Sequence, residues 1–300
     1  MFSDAFMVEL SKLECANCGH QNERNRGKCD RCNDPISYGY PNVNIYSDPY
    51  FAEELEKRYE EALALCQSEG KESIIAQFEQ QLKENSKAVI NMDNRLLFEL
   101  VNNNEHYLPY RRAVEQSKRL IANVFNDPKR IVIDSCFYGL HGGDIVFAAL
   151  SLDDDGLASY GDVSVVLSVP LVKKRISVFE KNSFVLYDEL TREKGWEPVD
   201  FPPPTGHFGI WESRHQLAVA KCHTQLDGNE KDEDFCPILL HSTNDQSKDE
   251  FIELHIFDKI TYFNFQKVKF QAKLTDKQSL IALSIAKEKL EEAGIEIEIA

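Results

Sequence analysis

The 300-residue chain contains no run of eighteen uninterrupted apolar residues, and its start, MFSDAFMVELSKLEC, lacks a charged region followed by an apolar one. Neither a membrane span nor a secretory leader is expected, and the reading is a cytoplasmic protein. Positive charge is also scarce: 34 Lys and Arg face 50 Asp and Glu, a formal net charge of −16. Broad attachment to nucleic acid draws on clustered cations, so that class is disfavoured for the chain as a whole. A body this negative suits a basic, neutralising partner protein instead. The patterns Gly-x-Gly-x-x-Gly, Gly-x-x-x-x-Gly-Lys-Ser/Thr, Gly-x-Ser-x-Gly and His-Glu-x-x-His are all missing. Their absence removes the usual support for a Rossmann unit, a P-loop, a serine nucleophile elbow and a zinc-protease helix.

Four of the eight cysteines are concentrated in ECANCGHQNERNRGKCDRCN, where Cys15, Cys18, Cys29 and Cys32 form two Cys-x-x-Cys pairs. Each pair can present two thiolates to one metal, and the second pair closes a tetrahedron, so the spacing predicts a structural zinc ion. Gly19 and Asn33 follow the pairs directly and suit a tight knuckle turn. A pair of disulfides is the competing reading, disfavoured in a cytosolic chain. All four positions of such a zinc are filled by protein, which leaves no open site for catalysis. Between and beside the pairs lie Arg24, Arg26, Lys28 and Arg31, a basic rim that reads either as a contact for RNA, DNA or an acidic partner or as a solvated face.

The organisation expected is a zinc ribbon over 1–45, a helical linker over 46–88 and an α+β body over 89–300. Apolar residues at helical spacing (Phe51, Leu55, Tyr59, Leu63, then Ile74, Ile75, Phe78, Leu82) predict two linker helices divided at Gly70. AVINMDNRLLFELV and HYLPYRRAVEQSKRLIANVF read as helices, the second stopping at Asn126-Asp127-Pro128. RIVIDSCF, DIVFAAL, DVSVVLSV, RISVF, SFVLY, PILLHS, EFIELHIF and ITYFNF read as strands. WESRHQLAVAKCH reads as a helix, and so does the segment from Thr275 or Asp276 to Glu292, with Thr275 and Gln278 spaced as a capping box. Successive strands with helices at the flanks indicate a mixed, largely antiparallel sheet.

Three stretches carry candidate chemistry. The first holds His141 before Gly142 and Gly143, then Tyr160 before Gly161; glycine lets a ligand approach the backbone beside an imidazole, although a plain glycine turn explains it too. KRISVFEKNSFVLY crowds Arg175, Ser177, Glu180, Asn182 and Ser183 around one turn, which either surrounds a ligand or satisfies its own backbone. In EFIELHIF the period of a strand places Glu253 and His255 on one side with Phe251 and Phe257. A carboxylate there is either exposed on an edge strand or an acid held in a cleft.

The order His-Gly, then Tyr, then a late strand-borne Glu resembles the catalytic domain of ADP-ribosyltransferases of the diphtheria-toxin and poly-ADP-ribose-polymerase type, over roughly residues 89 to 270. The resemblance implies a split-sheet fold that binds NAD, and a transferase of the kind common among bacterial toxins, acting on a nucleic-acid or protein target presented by the ribbon. It also implies roles for individual residues: His141 on the ribose, the Gly142 backbone on the nicotinamide amide, Tyr160 stacked on the nicotinamide ring and Glu253 on the ribose 2′-hydroxyl. The chain departs from the arginine-type enzymes in having Glu-Phe-Ile-Glu at Glu253, and an arginine-type site would draw on Arg95, Arg111 or Arg112. Two other readings stand beside this one. The first is a non-catalytic zinc-ribbon adaptor that docks protein or nucleic acid. The second is a hydrolase using Glu253, His255 and His141, which would need a further, catalytic metal.

Overall fold

A computed structural model describes residues 10–116, 126–197, 202–243, 245–246, 248–271 and 277–299. At the N-terminal end, β1 (Leu13–Glu14) and β2 (Gln21–Asn22) pair antiparallel in a small knuckle. The short helix α1 (Pro41–Tyr46) follows, with all six residues buried. Proline opens it, where a missing N–H costs nothing because that group has no helical acceptor. Asp48 then caps α2 (Pro49–Ser68), its Oδ1 accepting from the Tyr50 N–H at 2.8 Å. Gly70, at φ +73, turns the chain into α3 (Glu72–Asn85), so the expected helical hairpin is present. Its stripe of Leu55, Ile74, Ile75, Phe78 and Leu82 is buried in the same core as the sheet.

The rest of the chain runs through β3 (Lys87–Met92), α4 (Asn94–Asn102), α5 (Tyr110–Glu115), α6 (Asn126–Tyr138), β4 (Ile145–Ser151), β5 (Val163–Leu167), α7 (Val169–Val172) and β6 (Ile176–Phe179). It continues through α8 (Ser183–Arg192), β7 (Phe208–Ile210), α9 (Arg214–Cys222), α10 (Phe235–Leu239), β8 (Glu253–Phe257), β9 (Phe265–Phe270), α11 (Lys277–Glu292) and β10 (Glu296–Ile299). The long strands form one continuous eight-stranded sheet in the order β10-β9-β5-β3-β4-β8-β6-β7, not the two sheets of a split fold. Every neighbouring pair is antiparallel except β9 and β10.

Period-two alternation sends successive residues to opposite faces. On one face Val146, Ala148, Leu150, Leu254 and Ile256 join residues of α2, α3, α4, α9 and α11 in the larger core. On the other, Ile145 and Phe179 pack with Tyr46, Phe137, Tyr138, Leu186, Leu190 and Phe208 in an aromatic core beneath α1, α6 and α8. At the β10 edge Lys267 pairs with Glu296 at 3.0 Å, Glu298 at 2.7 Å and Asp154 at 2.9 Å.

Several elements differ from their sequence reading. AVINM is a strand between β5 and β4, and its nearly unbroken apolar character reflects burial on both faces. RIVIDSCF lies in α6 and SFVLY in α8, where Ile133 with Phe137 and Leu186 with Leu190 meet the aromatic core at four-residue spacing. Asn126, Asp127 and Pro128, expected to stop a helix, are themselves helical, within α6. The first half of PILLHS ends α10, with His241 in an isolated bridge to Glu250, and ITYFNF becomes a 3-10 turn leading into β9. Of the helix expected over HYLPYRRAVEQSKRLIANVF, Tyr110–Glu115 forms α5, while residues 117–125 and Thr275 of the expected capping box lie outside the described residues.

The knuckle is attached to the body by a buried ion pair. Asp48 Oδ2 lies 2.6 Å from Arg24 Nε and accepts from the Ser11 N–H at 3.0 Å and hydroxyl at 2.7 Å. Arg24 is therefore internal and is removed from the expected basic rim, whereas Arg26, Lys28 and Arg31 remain exposed. Asp48→Ala removes both the cap and the counter-charge and is expected to cost about 3–5 kcal/mol in urea unfolding. A loss below about 1 kcal/mol, the range of a surface pair, would show that water reaches the guanidinium.

Candidate functional site

Glu253 opens β8, an interior strand between β4 and β6, and is 4% exposed, which rules out the edge-strand reading. As the strand period requires, His255 lies on the same side, and its Nε2 is 2.7 Å from Glu253 Oε2. The Ser183 N–H, at the start of α8, donates to the same oxygen at 2.7 Å. Asn182 caps that helix by accepting from the Phe184 N–H at 2.9 Å, so the carboxylate sits at a helix N-terminus whose dipole favours negative charge. Burial pushes the Glu253 carboxyl up. Hydrogen bonds from His255 and Ser183 and the field of Arg130 outweigh it, and the net shift is below the ordinary carboxylate value.

Burial holds the His255 imidazole below its ordinary value despite Glu253, and burial raises the Tyr138 phenol well above its own. At neutral pH the imidazole is thus uncharged and the phenol protonated. These protonation states assign the hydrogens: Tyr138 O–H donates to His255 Nδ1, and His255 Nε2–H donates to Glu253.

Glu253 also lines a cavity of about 740 Å³ between β3, β4, β8 and the α6 and α8 side of the sheet. Six aromatic residues, Tyr107, Tyr110, Phe147, Tyr160, Phe184 and Phe251, form much of its wall. Arg130 lies over the Phe147 ring, 3.7 Å from its centroid, and 5.1 Å from that of Phe184. Its Nε is 2.8 Å from Asp134 Oδ1 but not aligned for a hydrogen bond, and Nη1 donates to Ser183 Oγ at 3.0 Å. Burial, together with the charge of Glu253, pushes the Asp134 carboxyl up to about 6 against the pull of Arg130. Lys129 pairs with Asp188 at 2.7 Å, and Asp245 with Lys248 at 3.4 Å. Among the described lining residues, Glu253 is then the charged group without a Lys or Arg ion pair. The Tyr160 hydroxyl is pushed up to about 12, first by burial and then by Glu253 and Asp249, so it is a donor and not a base.

Of the site residues expected from sequence, the fold brings Tyr160 and Glu253 onto one cavity. His141 and Gly142 are not among its lining residues. The His141 Nδ1 is 3.6 Å from Asp144, and its ring packs edge-on against Phe257, toward the opposite end of β8 from Glu253. Gly142 leaves no room for a side chain against the Asp134 backbone, a packing role. Arg111 and Arg112 form exposed pairs with Glu115, and Arg112 also with Asp144, while Arg95 pairs with Glu99. Arg130 and Phe184 were missed because RIVIDSCF and SFVLY read as strands; Tyr138 follows the first of these, and Phe147 lies in DIVFAAL, a strand as expected. The four-residue spacings Arg130 to Asp134 and Ile133 to Phe137 were the available signal for a helix.

The second site is the knuckle. The Sγ atoms of Cys15, Cys18, Cys29 and Cys32 all lie within 4.8 Å of one another, and all four cysteines are free. Cys15 and Cys32 are 3.5 Å apart and Cys18 and Cys29 3.6 Å. A tetrahedron with metal–sulfur arms of about 2.3 Å has edges of about 3.8 Å, so the set can hold one ion such as zinc. Gly19 and Asn33 adopt the left-handed conformation, at φ 67 and 62, and their N–H groups close the two turns onto Cys15 O and Cys29 O. The Arg31 N–H points at Cys29 Sγ, 3.4 Å away. Among the described residues no helix is long and apolar enough to cross a membrane. No family model matches the chain, and no curated protein matches it.

Proposed function

We propose that the cavity is an active site in which Glu253 stabilises positive charge on a ribose as the bond to nicotinamide breaks, with NAD as donor and ADP-ribosyl transfer or hydrolysis as outcome. The observation that carries this reading is a buried, ionised carboxylate on an aromatic-walled cavity, without a Lys or Arg ion pair among the described residues. An oxocarbenium-like ribose and a pyridinium ring are cations, and both are favoured next to such a carboxylate and such rings. A volume of about 740 Å³ is in the range of ligand sites. Tyr160, 41% exposed, offers a ring for stacking, and Arg130 keeps an Nη2 without an acceptor among the described residues. The knuckle is read as structural zinc. The acceptor, a protein or nucleic acid as for a toxin, would be met in part by the exposed Arg26, Lys28 and Arg31.

A second reading, the non-catalytic adaptor, is favoured by the position of His141 away from the cavity and by the neutralised state of Lys129 and Arg130. Incubation with NAD distinguishes the two. The active-site reading expects nicotinamide release on chromatography, and Tyr160→Ala is expected to raise KM roughly fivefold with little change in kcat, the equivalent of about 1 kcal/mol of stacking. Absence of both nicotinamide release and binding heat would leave the adaptor.

A further inference from the structure

The hydrogen-bonded path that ends at Glu253 does not begin at His255. Behind the imidazole, the Tyr138 hydroxyl lies 3.2 Å from Ser177 Oγ, on β6. Asn42 Nδ2, on α1, lies 3.2 Å from that same Oγ and also donates to the carbonyls of His255 at 2.9 Å and Arg175 at 3.1 Å. The amide nitrogen, not the oxygen, must face these two carbonyls. With two hydrogens for three acceptors, the Asn42 amide shares one between Ser177 Oγ and a carbonyl; its nitrogen cannot accept, so the Ser177 hydroxyl donates to Tyr138, which donates to His255, which donates to Glu253. Every hydrogen in the series points toward the cavity. Asn42 Oδ1, by contrast, is buried with no partner, an arrangement that costs stability. A residue kept at such a cost is explained by what its nitrogen holds in place.

The same helix is clamped to the cysteine knuckle. Asn44 Nδ2 donates to the Arg26 carbonyl at 2.7 Å and the Ile36 carbonyl at 3.3 Å, and its Oδ1 accepts from the Tyr38 N–H at 3.0 Å. Arg24 Nη1 donates to the Asn44 carbonyl at 2.8 Å. These contacts come from the segments between the two cysteine pairs and just after the second pair. A metal that orders those segments therefore orders the seat of α1.

We propose that Asn42 is a positioning residue for Glu253, acting through Ser177, Tyr138 and His255, and that metal occupancy of the four-cysteine knuckle governs this positioning because α1 is held to the knuckle by Asn44 and Arg24. The inference rests on the reading that Glu253 is the working carboxylate. On this view the ribbon supports the cavity from behind, in addition to any contact it makes outside.

The test is nitrogen NMR of the His255 ring in the full chain loaded with zinc. Wild type should show one tautomer, protonated at Nε2. Asn42→Ala should keep its zinc and its circular dichroism, mix the tautomers of His255, and lower nicotinamide release roughly tenfold, the usual range for groups that orient a functional residue from behind. Ser177→Ala cuts the same path without touching α1 and should move the same signals, so the outcome stands even where Asn42→Ala fails to fold. Chelating the metal from wild type should move them too. Unchanged His255 signals in Ser177→Ala, or in chelated protein, would overturn the proposal even with nicotinamide released. Shifted signals without any nicotinamide release would leave the positioning path standing and remove the NAD reading.

Discussion

Glu253→Gln is expected to fold with a stability within about 1 kcal/mol of wild type and to lower nicotinamide release by about 10²–10³-fold, the usual effect of deleting an electrostatic partner of the transition state. The small structural effect follows from the bonding of Oε2. Both of its donors, the Ser183 N–H and His255 Nε2–H, can be accepted by the amide oxygen of glutamine. What disappears is the negative charge, which among the described lining residues has no Lys or Arg ion pair. Asp134 reports on the same substitution. Glu253 contributes to raising its carboxyl to about 6, so the variant should titrate Asp134 at lower pH, readable by carbon NMR. Retained turnover in a folded variant would show that the carboxylate does not act on the reacting bond. Loss of folding would assign Glu253 to the core instead.

Cys29→Ser carries the second large effect. Cys29 is 3% exposed and faces Cys18 across the tetrahedron, and the hydroxyl that replaces its sulfur is a poor, protonated ligand. Metal analysis should fall from one zinc per chain to a small fraction. Apparent binding to such sites is about 10–16 kcal/mol, and in a segment this small that energy is folding energy. Arg24, Asn44 and α1 pass part of the loss to the body. At about 2–4 °C per kcal/mol for a chain of this size, a loss of several kcal/mol should lower the melting temperature by at least about 10 °C, measured by scanning calorimetry. A variant that keeps both its metal and its melting temperature would show that the four thiols do not share an ion.

The knuckle was legible because its information is local: four cysteines at fixed spacing, with Gly19 and Asn33 where the turns need left-handed backbone. The pairing of Glu253 with His255 was legible for a similar reason, since strand periodicity relates residues two apart. Longer-range placement was less accessible. His141 sits four residues before β4 begins, and only the register of β4 on β8, with Ile145 opposite Phe257 and Ala149 opposite Glu253, shows how far from the carboxylate it lies. The strand reading of RIVIDSCF and SFVLY failed because β-branched and aromatic residues also suit a helix buried against an aromatic core, and tertiary packing overrides propensity there. The cap at Asn182, before α8, and the four-residue spacings in α6 held the contrary signal. Asn42, in the segment read as zinc ribbon, gave no sign of its partners more than a hundred residues away.

The outer edge at β10 has a consequence for how copies of the chain meet. A bare sheet margin is a template onto which a second molecule can add a strand. Here Glu296 and Glu298 alternate along that margin, and Lys267 answers them from the inner neighbour, β9. Two such margins brought together would set carboxylate rows against each other with their compensating amines facing away. Association through this border should therefore be weak at low ionic strength and grow as salt screens the repulsion.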